Sequence, residues 1–274
     1  MAMTEGDPRN ILRQPDTRFV TDEKFKKYEF LTAMNMGLTA EKLFLESGLT
    51  REDMDKFALG SHQKAAKALK EGYFKDEIMP LEVTMGDGSK QVVDCDLSIR
   101  ADTTMEGLAA LKPAFRPDGQ ITAGNSSPLN AGATAMMLMS EEKAKEYKLK
   151  PLATILSMGW AGVEPAIMGK GPVPASLMAL KHAGMEAKDI DFWEINEAFC
   201  IVAQYAIQQL KLDEKKVNVK GGATAIGHPL GASGTRLVGT LARILNMEGG
   251  TYGCANACIG GGQGVATIIK KEKY

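Results

Sequence analysis

Gly221-Gly222-Ala223-Thr224-Ala225-Ile226-Gly227-His228-Pro229-Leu230-Gly231-Ala232-Ser233-Gly234 is the stretch on which the reading of this chain turns. It follows a short apolar alternation, Val217-Asn218-Val219, which predicts a strand. It precedes a helical pattern that puts Leu237, Val238, Leu241, Ile244 and Leu245 on one face. The stretch is therefore a glycine-rich loop between a strand and a helix, with one histidine inside it. Pro229 fixes its own φ and biases His228 towards an extended backbone. The glycines permit close approach of a ligand or a second loop. The spacing excludes two phosphate-binding readings, because it contains neither G-x-G-x-x-G nor G-x-x-x-x-G-K-[ST]. Taken alone, His228 would read as a partly buried turn histidine.

Two further stretches change that. Asn196-Glu197-Ala198-Phe199 stands where a predicted strand, Asp191 to Ile195, turns into a helix. Cys258-Ile259-Gly260-Gly261-Gly262-Gln263-Gly264 lies near the C-terminus. An amide, an imidazole and a thiol, each at a strand end beside glycine or a helix start, are the groups that acyl chemistry needs. A thiol has an ordinary pKa of about 8.5, and backbone N–H groups in a glycine turn can stabilise its thiolate. Singly, Cys258 would read as a buried structural thiol and Asn196 as a helix cap.

Composition bounds the rest. A chain of 274 residues, 44% hydrophobic and 24% charged, can bury a core as one large domain or two smaller ones. Lys+Arg 33 against Asp+Glu 34 gives a net charge of −1, which argues against a general nucleic-acid binder. No apolar run approaches ~18 residues, so no membrane span is expected. Cys95, Cys200, Cys254 and Cys258 show no disulfide framework, and a reducing compartment is the default. Only three histidines and no second cysteine pair argue against a zinc site at Cys254 and Cys258. The N-terminus shows no signal or transit character, so the expected location is cytoplasmic, with an organelle matrix as the alternative if a preceding segment exists.

Along the chain, residues 1–30 read as polar and irregular. Thr39 to Ser47 and Thr50 to about Glu71 read as helices, the second opened by a Thr50-x-x-Asp53 capping box and stopped by Gly72. Gly86-Asp87-Gly88 predicts a hairpin turn. His62 reads as a surface or packing residue on the long helix. Ala131 to Met139 reads as a strand buried on both faces. From residue 152 the prediction is βαβαβαββ: strands at 152–158, 191–195, 216–219, 251–258 and 265–270. Helices are predicted from Pro174 to Gly184, Glu197 to Leu210 and Ser233 to Met247. Such alternation implies a mixed, largely parallel sheet whose ligands lie beyond the strands' carboxyl ends, where Asn196, His228 and Cys258 fall. His182 reads as solvent-facing.

Read in order and spacing, N-E-A-F, G-G-A-x-A-x-G-H-P-x-G-A-S-G and C-I-G-G-G-x-G resemble the thiolase family. Thr122-Ala123-Gly124-Asn125-Ser126-Ser127 and Gly169-x-Gly171-Pro172-Val173-Pro174-Ala175 add to the resemblance, which runs from about Gly37 to the C-terminus. It implies an α/β thiolase-like fold with one complete βαβαβαββ half and an α+β loop domain. Residues 1–121 would be most of the loop domain, 122–150 the returning end of the N-terminal half, and 151–274 the C-terminal domain. It implies acetyl-CoA acyltransferase chemistry: cleavage of a 3-ketoacyl-CoA by coenzyme A, or the reverse condensation. No cofactor is implied, since coenzyme A is a substrate.

By that resemblance Cys258 is the acid/base at the α-carbon, and His228 activates a nucleophilic cysteine and donates to an oxyanion. Asn196 holds a water in that oxyanion site, and the Gly260 backbone N–H helps form a second. Ser127, Met36 and Lys112 match substrate-side positions. Asn35 stands where acetoacetyl-CoA-type members have histidine, which leans towards a degradative, longer-chain enzyme. Lys112 stands where arginine is frequent; it keeps the charge but loses the fork. No match to the family's nucleophilic cysteine is found, so the chain is expected to need a chain or domain carrying it and to work in a homo- or hetero-oligomer. The competing reading is a non-catalytic coenzyme A-binding or scaffolding module.

Overall fold

The computed structural model describes residues 21–272; of the expectation for residues 1–30, the part on 1–20 lies outside the described residues. Two short helices, α1 (Glu23–Lys26) and α2 (Phe30–Ala33), come first. In α3 (Met36–Ser47) Asn35 is the N-cap, its Oδ1 accepting from Leu38 N at 3.2 Å, and Gly48 ends the helix at φ 73°. In α4 (Arg51–Lys70) the expected capping box is present: Thr50 Oγ1 accepts from Asp53 N, and Asp53 accepts from Thr50 N at 2.8 Å. The hairpin forms from β1 (Leu81–Thr84) and β2 (Lys90–Val93). Two short helices follow, α5 (Met105–Ala109) and α6 (Glu141–Glu146).

The C-terminal part is built on a four-stranded sheet, β3 (Ala153–Gly162), β6 (Gln263–Lys271), β5 (Tyr252–Ile259) and β4 (Phe192–Ile195), in that spatial order. Helices α7 (Pro172–Ala183) and α8 (Cys200–Leu210) cover one face, with α3 and α4 packed outside α8. Helix α10 (Ser233–Glu248) covers the other face over β4, β5 and β6, after the single turn α9 (Ala223–Ile226). Leu237, Leu241, Ile244 and Leu245 of α10 are buried against Ala255 and Ile269 and in the adjoining cluster around Ala225 and Phe74. Burying each such side chain contributes about 1.5–3 kcal/mol.

Four expectations are corrected. Residues 131–139 form no strand and are exposed throughout. Gly132 lies against Pro229 and Thr134 Oγ1 donates to Ala232 O at 2.9 Å, so the segment runs beside the start of α10 with no ladder partner among the described residues. Residues 216–219 are not a strand either. After one bridge between Val217 and Trp193, Asn218 turns at φ 45°. Its side chain then occupies the free edge of β4, accepting from Ile195 N at 2.8 Å and donating to Ile195 O at 2.9 Å.

The sheet is mixed but not largely parallel: β4–β5 is the parallel pair, while β3–β6 and β5–β6 are antiparallel. Finally, α8 begins at Cys200, because residues 196–199 run extended first. Phe199 bridges Ser126, and Cys200 N donates to Asn125 O. His62 is buried on α4, where its Nδ1 accepts from Arg100 N at 3.2 Å, and is therefore a packing residue.

Candidate active site

His228 is held at its backbone N and at both ring nitrogens. Gly227 precedes it at φ 103°, and Asn130 fills the space where a Gly227 Cβ would stand. Asn130 Oδ1 accepts from His228 N at 3.0 Å. Nδ1 meets Ser233 Oγ at 2.5 Å, and Ser233 Oγ–H donates to Pro229 O at 3.0 Å. Asn196 Nδ2 lies 3.3 Å from Nε2. With the amide nitrogen facing the ring, Asn196 donates to Nε2, and the ring proton sits on Nδ1, donating to Ser233. Nε2 is then an unprotonated base. Burial, with Arg236 adding a positive charge, holds His228 below the ordinary imidazole range, so it is neutral at pH 7.

Asn196 is fully buried at the end of β4, where its backbone N donates to Asn256 O of β5 at 3.0 Å. Its Oδ1 has no protein partner and is a free buried acceptor. The next residue, Glu197, is buried too and anchors the loop. It accepts from Ser61 Oγ at 2.7 Å, Asn218 Nδ2 at 2.7 Å and Thr224 N at 3.0 Å. It thus ties α4, the Asn218 turn and α9 to the strand end that carries Asn196.

Cys258 lies on β5 two residues beyond Asn256, a rise of about 7 Å along the strand. It is paired with Gly264 of β6. The turn that follows uses Gly261 at φ 86° and Gly262 at φ 82°, and Val163 N donates to Gly262 O at 2.6 Å. Burial pushes the Cys258 thiol up to about 12, against a smaller opposing pull from a backbone N–H, although part of the residue reaches the surface. At neutral pH it is a thiol that keeps its proton. Gly260 is exposed at the turn, and a Cβ there would stand 3.2 Å from Met36 Sδ, so Met36 covers this turn.

Ser127 N and Oγ both donate to Ala198 O at 3.1 Å, placing it against the Asn196 loop. Lys112 is exposed, and no hydrogen bond or ion pair among the described residues ties it to this group. Sequence reasoning set Asn196 beside His228 but missed Asn130 and Ser233; Ser233 stood inside the quoted loop, but nothing in its spacing marked it as the Nδ1 partner.

The other cysteines are placed differently. Cys200 and Cys254 are fully buried, with thiols pushed up by burial, to about 12 for Cys254. Cys95 is raised by burial and by Asp94 and Asp96. His182 is exposed, as expected, with Nδ1 2.9 Å from Met158 O. A groove of about 470 Å³ lined by Arg51, Glu52, Asp55, Met105, Glu106 and Ala109 includes none of the site residues. No group of three His, Cys, Asp or Glu that could hold a metal ion occurs among the described residues.

Two family models match the chain: the C-terminal domain of thiolase over residues 149–271 and the N-terminal domain of thiolase over residues 7–142. The chain is 46% identical to the acetyl-CoA acetyltransferase of Bacillus anthracis, with a TM-score of 0.84 over 86% of this chain and 60% of that one. It is 44% identical to human mitochondrial 3-ketoacyl-CoA thiolase, with a TM-score of 0.78 over 86% of this chain and 59% of that one. The chain thus spans about three-fifths of the length of either structure. The expectation that the family's N-terminal part is missing finds no support here, since the N-terminal model matches from residue 7.

Proposed function

This chain belongs to the thiolase family, and on that premise we propose that it supplies the acid–base half of a 3-ketoacyl-CoA thiolase site. The observation that carries the reading is the Asn196 Nδ2 contact on His228 Nε2, with the ring proton held on Nδ1. In the cleavage direction a nucleophilic thiol gives its proton to His228 Nε2 and adds to the 3-keto carbon. The C2–C3 bond breaks, Cys258 S–H protonates C2, and acetyl-CoA leaves. The thiol of a second coenzyme A then gives its proton to the Cys258 thiolate and attacks the acyl carbon, forming the shortened acyl-CoA and expelling the first thiol, which recovers its proton from His228. A thiol that holds its proton suits this first step. The buried free acceptor on Asn196 suits a water that donates there and to the oxyanion region.

The acyl-accepting thiol is not one of the four cysteines at hand: Cys200 and Cys254 are sealed in the core, Cys95 is raised by burial and by its acidic neighbours, and Cys258 serves as acid. We assign it to another domain or chain of the assembly. Asn35 caps α3 rather than presenting an imidazole, in keeping with a substrate longer than acetoacetyl-CoA.

The chain alone is expected to be inactive on acetoacetyl-CoA and 3-ketooctanoyl-CoA, and mass spectrometry of the purified assembly should find a thiolase chain with the nucleophile. In that assembly His228→Ala should lower kcat about a thousandfold with little change in folding, and Cys258→Ser should impair α-proton transfer. Near-normal turnover by either variant, or an acyl-enzyme on one of these four cysteines, would overturn the reading.

A further inference from the structure

Arg236 Nη1 donates to Glu194 Oε2 at 2.9 Å, between side chains 15% and 0% exposed. Neither residue belongs to the three sequence motifs, and the chemistry above does not use them. Their places in the fold are specific. Arg236 stands on α10 one turn after Ser233, the partner of His228 Nδ1. Glu194 stands on β4 two residues before Asn196, the partner of Nε2. Alternation along the strand puts Glu194 and Asn196 on one side, the side that α10 covers. The two ring nitrogens of His228 are thus held by two different elements, and one buried contact joins those elements close to both attachment points.

We propose that the Arg236–Glu194 contact is a positioning device for His228, fixing the separation of Ser233 and Asn196 and hence the ring's orientation and tautomer. The catalytic meaning of this rests on the thiolase reading; the positioning itself does not.

Three features argue against a purely stabilising role. A buried contact between a carboxyl and a guanidinium is weak evidence for stability, because desolvation offsets the attraction and raises the carboxyl itself. This one is also incomplete: Glu194 Oε1 and Arg236 Nη2 lack partners, so the guanidinium fork is used on one prong only. And the surroundings are crowded with like charge. From β4, Glu194 faces Glu197 as well as Glu77 of the short 3-10 helix after α4, and Arg236 also faces Glu77 and Asp96 of the loop after β2. Arg243, one helical repeat along α10, faces Glu77. Arg236 is the cation that Glu194, Glu77 and Asp96 share, and it is the charge felt by His228.

The test replaces the pair by apolar side chains of similar length. The double variant Glu194→Met/Arg236→Met removes both members of the contact; Glu77 keeps Arg243 while Asp96 loses its cation, so a folded chain of somewhat lower Tm is expected. ¹⁵N spectra of the imidazole nitrogens then report on the ring, with His62 and His182 as internal controls. The wild-type chain should show His228 as one tautomer protonated on Nδ1. The double variant should show loss of that single state, with a second tautomer populated and the His228 titration shifted upwards, as the Arg236 charge is gone. Glu194→Gln keeps an acceptor for Arg236 and should retain the single tautomer. Glu194→Met should mix the tautomers with no upward shift, since the cation remains.

An unchanged His228 ring in the folded double variant would overturn the proposal. Should that variant not fold, Arg236→Lys decides, because a compact ammonium cannot keep the same reach: a mixed ring supports the device and an unchanged ring rejects it. None of these readouts depends on turnover, so they separate failure of the positioning from failure of the proposed activity.

Discussion

At the scale of single residues the site is set by where protons are kept. His228 is neutral because burial and Arg236 both oppose its charge, and Cys258 keeps its proton because burial opposes the thiolate. Glu194 is the clearest case: burial, opposed in part by Arg236, raises its carboxyl to about 8. In the unfolded chain it titrates near the ordinary carboxylate value of 4.5. Between those values the folded chain binds one more proton than the unfolded chain, so stability is fully present below the lower value and is lost as pH rises through the upper. His62 and His228 are lowered in the fold and work in the opposite sense, but only below the ordinary imidazole value. From pH 6.5 to 7.5, above the ordinary imidazole value and below the ordinary thiol value, the buried carboxyls set the slope; Glu77 and Asp96, also raised by burial, add to Glu194 in the same sense, and the buried thiols add theirs only at higher pH. Urea melts across that interval should show unfolding free energy falling with pH, and Glu194→Gln should reduce the slope. An equal slope in the variant would show that Glu194 is not among the groups responsible.

At the scale of elements, the sequence was legible where a pattern carried its own physics. The capping box on α4, the hairpin turn and the amphipathic stripe of α10 all appear as read, because each depends on neighbours within a few residues. It was illegible where a side chain replaces a backbone partner. Val217-Asn218-Val219 alternates like a strand, yet the Asn218 amide takes both bonds to Ile195 and turns the chain away. The start of α8 was misplaced for a similar reason, since Asn125 and Ser126 hold residues 199–200 from far along the chain. Of the candidate site, the Asn196–His228 contact joins two stretches that the sequence marked, while Asn130 and Ser233, which hold His228, have no signature of their own.

Glycines mark where elements meet most closely. A Cβ on Gly264 of β6 would lie 2.1 Å from the Gly171 carbonyl at the start of α7, and backbone cannot yield as a side chain can. Gly264→Ala should therefore destabilise by about 1–3 kcal/mol or more, measured by denaturant unfolding. It should also disturb the pairing of Cys258 with residue 264. Gly231→Ala, with nothing within 4 Å of its Cβ, is the control and should be near neutral. Equal stability of the two variants would mean that α7 and β6 can separate without loss.

At the scale of the whole molecule the unsatisfied feature is an apolar surface. Strand β3 is an edge strand, and it buries Ser157 and Gly159 against α7. On its other face α10 reaches only its start, at Ala153, and Leu156, Met158 and Trp160 are left open, Trp160 at 63%. Beside α10 the segment 131–139 adds Met137 at 80% and Leu138 at 68%, with Met136 packed near Gly239. The expected strand at 131–139 was read from apolar content that a sheet would bury; without a ladder partner the same content stays at the surface. Unpaired edges and large contiguous apolar patches drive association. The chain alone is therefore expected to self-associate: sedimentation velocity should show a weight-average mass that rises with concentration above that of a 29.5 kDa monomer. Met158→Lys with Trp160→Lys, both on exposed positions, should reduce that rise without lowering Tm, since neither side chain contributes to the core. If the patch is instead covered by a partner chain, the same double variant should weaken that complex, and unmodified chain should become monodisperse once the partner is added. A concentration-independent monomer, unaffected by the two lysines, would show that this surface needs no cover.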